Sequence, residues 1–258
     1  MHSLTTSLGI AVIVFASGCV GLALQRALPE KFTTGGPRDM IGAVVGLITL
    51  LSALVFGLMI WTAYGVYSSQ SIAIQNLAAR SLQIDLALAD YGPDAAPGRA
   101  NLRENLRRMV VEIWGEKADG DFVARNVEAA IDNLRTQQTY LDSLKPSTDS
   151  QKSALSSANQ ATAAMSQIRL QMALALSDPV SYPLLTVIVA WAAFLFCGFG
   201  LLSRSNSMTF AALAVGAAAV ASAAYLVIDL SDPYSGLFQA SPAPIERIMK
   251  DLNNHEGR

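Results

Sequence analysis

Residues 40–67, MIGAVVGLITLLSALVFGLMIWTAYGVY, run from Met40 to Tyr67 without a charged side chain. Crossing a bilayer core takes about 20 apolar residues in helical form, because lipid offers no partner to an open backbone N–H or C=O. The stretch exceeds that length and predicts a membrane-spanning helix. Trp61, Tyr64 and Tyr67 gather at its end, where an interfacial aromatic belt belongs.

Three more runs of the same kind lie outward from it. One extends from Leu4 to about Leu24 and stops at Gln25-Arg26; another lies between Asp178 and Arg204; the last runs from Ser207 to Ile228. All pass the roughly 18 residues that separate a spanning helix from a buried core helix. Pro179 and Pro183 mark the start of the third, where a missing backbone donor does least harm. The fourth, through Ala211 to Ala219, has little side-chain bulk, which lets helix backbones approach closely in lipid. Gly42 and Gly46 repeat that small-residue spacing in the second span.

Between the two pairs of spans the composition changes. Residues 68–178 hold 11 of the 18 Lys/Arg and 13 of the 20 Asp/Glu. Apolar positions from Ile72 to Leu88 extend the second span out of the bilayer until Asp90-Tyr91-Gly92-Pro93 breaks it, and Ala96-Pro97-Gly98 reads as a second break. Leu102, Leu106, Met109, Val110 and Ile113 have helical spacing. That helix is expected to end near Gly115 to Gly120, and another runs from Phe122 through Leu141 to Lys145-Pro146. A last one starts at the capping residues Ser147-Thr148-Asp149 and reaches Asp178. The stripe Leu102 to Ile113 reads as core, Arg103, Arg107 and Arg108 among Glu104 and Glu112 as a solvated face, and Trp114 as a structural anchor.

The predicted class is therefore all-α, an integral membrane protein in which four transmembrane helices in two pairs flank a soluble antiparallel helical insert. Its expected parts are residues 1–67, the first helix pair; 68–178, the insert; 179–229, the second pair; and 230–258, a C-terminal tail. The expected location is the plasma (inner) membrane, with multiple passes. Arg26, Lys31, Arg38 and Arg204 lie on the short-loop side, against Arg80, Arg169 and Arg247 on the other, so the positive-inside rule favours an external insert by four to three.

Much chemistry is excluded. A formal charge of −2 gives no basic face for nucleic acid. The two histidines, His2 and His255, sit near the termini, which leaves no histidine metal site and no Ser-His-Asp triad. Cys19 and Cys197 fall in apolar runs, so no disulfide is expected. Cys19 follows Ala16-Ser17-Gly18, which has the look of a lipoprotein processing site, but Met1 to Ser7 lacks the usual Lys or Arg; a plain membrane cysteine is preferred. No Walker A loop or dinucleotide fingerprint occurs. No catalytic, cofactor or metal residue is assigned, and the chain is not expected to be an enzyme. The spans hold no ionisable residue, which argues against proton-coupled transport.

After the fourth span comes Asp229-Leu230-Ser231-Asp232-Pro233-Tyr234-Ser235-Gly236-Leu237-Phe238, then Ser241-Pro242. This segment, with Arg26-Ala27-Leu28-Pro29 after the first span and Val110-Val111-Glu112-Ile113-Trp114 in the insert, resembles the bacterial membrane family DUF4239, also called bestrophin-like. Tyr234 stands where members often carry Phe, Ile113 interrupts a family Glu-Trp motif, and Gln75 takes the place of a Glu common after the second span. Asp229, Asp232, Pro233, Tyr234, Gly236 and Pro242 are read as a tight turn that folds the tail onto the helix ends; a cation-selecting acid ring from Asp232 is the alternative.

The resemblance implies a homo-oligomeric channel, since bestrophins are pentameric anion channels with a cytosolic helical part. On that reading inorganic ions are the substrate, and Thr49, Ser52, Phe56 and Trp61 of the second span are the candidate pore lining. No basic residue lines that helix. The competing reading, held first on sequence alone, is a membrane-anchored scaffold or sensor whose insert binds a partner.

Overall fold

The computed structural model describes residues 2–29, 35–114, 122–176, 182–234 and 236–254. Expectations about Lys31, the Gly115 to Gly120 break, Pro179, Ser235 and His255 lie outside them. The helices are α1 (His2–Ala27), α2 (Gly36–Tyr91), α3 (Ala96–Trp114), α4 (Phe122–Ser143), α5 (Asp149–Leu176), α6 (Tyr182–Leu202), α7 (Ser207–Leu230) and α8 (Ala243–Asn254). Among the described residues there is no strand. The class is all-α, and four helices are long and apolar enough to cross a membrane: α1, α2, α6 and α7.

Contacts divide the chain into two compact units, Met1–Gly65 with Val180–Ser231, and Val66–Pro179 with Asp232–Arg258. The first is the bundle of spans, organised around α1, which packs on both α6 and α7. Ile10, Val14 and Leu22 of α1 are buried there, as are Ile188 of α6 and Ala217 of α7. At Gly21 and Gly200 the two backbones touch: a Cβ on Gly21 would run into the Cys197 carbonyl, and one on Gly200 into that of Gly18. Such close approach is how helices associate where lipid removes the hydrophobic drive. The short loops are tied by arginines, Arg26 Nη2 donating to Ser205 Oγ at 2.7 Å and Arg38 Nη2 to the Leu202 carbonyl at 3.3 Å. Asn206 caps α7, its Oδ1 accepting from the Thr209 amide at 2.7 Å.

The second unit is built on the continuation of α2, whose single helix of 56 residues carries the second span well beyond bilayer length. Ile74, Leu77, Ile84 and Leu88 of α2 pack with Leu102, Leu106 and Met109 of α3, Leu141 of α4 and Ala158 of α5. Asp85 of α2, 2% exposed, makes a bidentate ion pair with Arg99 of α3, both hydrogen bonds at 2.8 Å. The start of α5 is a capping box: Thr148 Oγ1 accepts from the Gln151 amide, and Gln151 Oε1 reaches back to the amides of Ser147 and Thr148.

Two expectations about connections change. Ala96-Pro97-Gly98 does not break the chain; it is the first turn of α3, where the absent proline donor would have no intrahelical acceptor. Residues 232–254 are not a separate tail, because Ala240, Ile245 and Leu252 complete the core of the second unit, with α8 against α3.

Candidate functional site

The four candidate pore residues divide between two faces of α2. Val45, Ser52, Met59 and Ala63 form its buried stripe, and the Val45 side chain lies against Gly198 of α6. At about 3.6 residues per turn, Thr49 and Phe56 fall on the flanks of that stripe, whereas Trp61 points nearly opposite. Ser52 is 6% exposed, and its Oγ has no hydrogen-bond partner among the described residues. Thr49 is exposed but its hydroxyl donates to the Val45 carbonyl at 2.8 Å; Phe56 is half-buried; Trp61 is 73% exposed.

On its remaining surface α2 is open. Met40, Leu47, Leu50, Leu54 and Leu58 are all exposed, and an added Cβ at Gly42 or Gly46 would meet nothing within 4 Å. Of the four spans this one is the least buried. Its small residues therefore contrast with Gly21 and Gly200, which are already closed against helices of the same chain.

The turn after α7 straddles the two units. Asp229 is buried in the first, and Ser231 folds back to donate from Oγ to the Val227 carbonyl at 2.7 Å. In the second unit, Asp232 remains exposed while Pro233 and Tyr234 turn inward. The Pro233 carbonyl accepts from the Ala240 amide at 2.7 Å and closes the loop. Gly236 sits at φ 87°, a left-handed conformation that side chains resist. The Pro242 carbonyl accepts from the Ile245 and Glu246 amides and opens α8.

Tyr234 is the hub. Its hydroxyl donates to Gln70 Oε1 at 2.7 Å, and Gln70 Nε2 donates onward to the Met172 carbonyl at 3.2 Å. The ring meets Trp114 edge-on at 5.8 Å, and Trp114 Nε1 donates to the Ala240 carbonyl at 2.7 Å. Trp114 is thus the anchor expected of it. Burial pushes the Tyr234 hydroxyl well above its ordinary range, so it stays a neutral donor. The residue that sequence reasoning missed is Gln70, 1% exposed; Gln75, which stands where the family carries a Glu, is exposed. On the α3 surface Glu104 is held below the usual carboxylate range by its hydrogen bonds with Arg107; these two and Arg108 are exposed as expected, whereas Arg103 and Glu112, read from the sequence as part of the same solvated face, are half-buried. Among the described residues no cluster of three or more His, Cys, Asp or Glu could hold a metal ion.

The model of the Bestrophin-like domain matches residues 11–245 of this chain. No curated protein matches its sequence. Among solved structures, a bestrophin homologue from Klebsiella pneumoniae aligns with a TM-score of 0.59 at 15% identity, over 100% of this chain and 98% of its own. An isoleucine-to-threonine variant of that homologue gives 0.64 at 14% identity, over 97% and 99%. A membrane protein with a proline-to-alanine substitution gives 0.68 at 12% identity, over 98% and 99%. At such identities the likeness shows a shared fold.

Proposed function

The chain belongs to the Bestrophin-like family, and from that premise we propose that it is an ion channel of the plasma (inner) membrane, formed by several copies around α2. The observation that carries this reading is the open flank of α2. In lipid, small residues gain by meeting another helix backbone, and Gly42 and Gly46 meet none among the described residues. A second copy would cover them, and a ring of copies would bring α2 helices around a common axis. An apolar side chain such as Phe56, on the same side of α2 as Thr49, would then narrow the path, and a constriction of this kind gates by dewetting. Residues 4–24, 40–67, 183–202 and 207–228 hold no Asp, Glu, Lys, Arg or His, which fits passive conduction, and no enzymatic step is proposed.

Flux from liposomes containing the purified chain, with chloride and potassium gradients set up separately, tests the proposal. Flux above that of protein-free liposomes, altered by Phe56→Ala, is the expected result. A folded monomer that passes neither ion overturns it and returns the insert to the role of a membrane-anchored scaffold or sensor.

A further inference from the structure

The helical insert contains a largely apolar cavity with a few buried polar side chains that the conduction reading leaves unused. About 30 Å³ of space lies among α2, α3, α4 and α5, lined by apolar side chains such as Ile84, Leu106 and Met109 and by polar Gln137, Thr162 and Arg169. These three are nine-tenths or more buried, with exposures of 7%, 4% and 9%. Neither Gln137 Nε2 nor Thr162 Oγ1 has a hydrogen-bond partner among the described residues. Glu112 Oε2, whose charge acts on the nine-tenths-buried Arg169, is also buried without a hydrogen-bond partner among them. Burial holds the Arg169 guanidinium below the ordinary value, and the field of Glu112 works in the opposite direction without ion-pair contact.

A guanidinium does not shed its proton in a protein, so Arg169 remains a cation here. A buried charge without a hydrogen-bonded counter-charge is costly, as is each buried donor without an acceptor. The other polar groups of the lining are partly engaged, although a hydroxyl or amide oxygen that makes one hydrogen bond keeps some acceptor capacity. Asn105 Oδ1 is engaged by Arg108 Nη2 at 2.6 Å, and the Ser166 hydroxyl donates to the Thr162 carbonyl at 2.8 Å. What converges on the cavity is a cation, an amide N–H and a hydroxyl, the donor set of an anion site. One water needs about 10–15 Å³ of such space, so two waters or one monatomic anion fill it, and an organic acid does not fit.

We propose that the insert binds a single halide-sized anion in this cavity, held by the Arg169 guanidinium, the Gln137 side-chain amide and the Thr162 hydroxyl. The site lies inside the insert of one chain and stands whether or not the spans conduct.

Two measurements on the full chain test it. Crystals grown in bromide are expected to show an anomalous peak bounded by Gln137, Thr162 and Arg169; water density without such a peak overturns the proposal and makes this a hydrated Arg169–Glu112 pair. In detergent, the unfolding midpoint is expected to rise saturably with chloride relative to gluconate at equal ionic strength. Thr162→Val should raise the half-saturating chloride concentration by roughly tenfold, the factor that follows from losing one hydrogen bond to a charged group. Arg169→Met should abolish the response. Equal midpoints in the two salts, or a chloride response that survives both substitutions, overturn the site. Should Arg169→Met fail to fold, the bromide peak of the natural chain decides alone.

Discussion

Tyr234 joins residues remote in the sequence: its donor bond reaches Gln70 across 164 positions, and Gln70 reaches Met172 across 102. Tyr234→Phe keeps the ring against Trp114 and removes only the hydroxyl, leaving the buried Gln70 oxygen without that donor. The expected loss is about 1–3 kcal/mol of stability in the second unit, read from denaturant unfolding. A pH dependence follows from the same burial. The unfolded tyrosine ionises near about pH 10 and the folded one higher. Its contribution is therefore fully present below the unfolded value and is lost as pH rises through the folded one. Unfolding midpoints followed into alkaline pH should fall less steeply for Tyr234→Phe than for the natural chain. Sequence reasoning found the turn itself, since Pro233 and Gly236 are local signals, but it named no polar partner for Tyr234. A glutamine's partner is set by which helix face meets which, and no local pattern around Gln70 records that.

The contrast between glycines belongs to the elements. Gly21 and Gly200 let α1 and α6 touch backbone to backbone, so Gly21→Val forces the two helices apart and should prevent recovery of folded protein. Gly46 lies on the open flank of α2, and a Cβ added there meets nothing within 4 Å among the described residues. Gly46→Leu is expected to leave the helical content intact while shifting the detergent-solubilised protein from oligomer to monomer, measured by light scattering on a sizing column. An unchanged assembly would place the subunit contact elsewhere. The length of α2 was legible because its apolar positions continue to Leu88 before Gly92-Pro93. The role of Ala96-Pro97-Gly98 was not, since a proline that marks the end of one helix is well tolerated in the first turn of another.

At the scale of the whole chain, residues from both sides of the second pair of spans build one unit. Truncation after Ser231 removes Tyr234, Ala240, Ile245 and Leu252 from the second core. Limited proteolysis of the truncated chain in membranes is expected to degrade residues 66–176 rapidly while the four spans remain protected. The sequence alone determined the membrane class, the helical content, the spans and the interruption between them. Those are one-dimensional properties: lipid forces every spanning backbone to satisfy itself, so length and hydropathy suffice to reveal it. Only the tertiary structure decided that the C-terminal segment completes the insert, that Ser52 is buried while Trp61 is exposed, and that Arg169 of α5 faces Gln137 of α4 across a largely apolar cavity. Those depend on which faces of separate helices meet, and in a chain whose helices carry apolar residues on several sides, periodicity along one helix does not specify its neighbour.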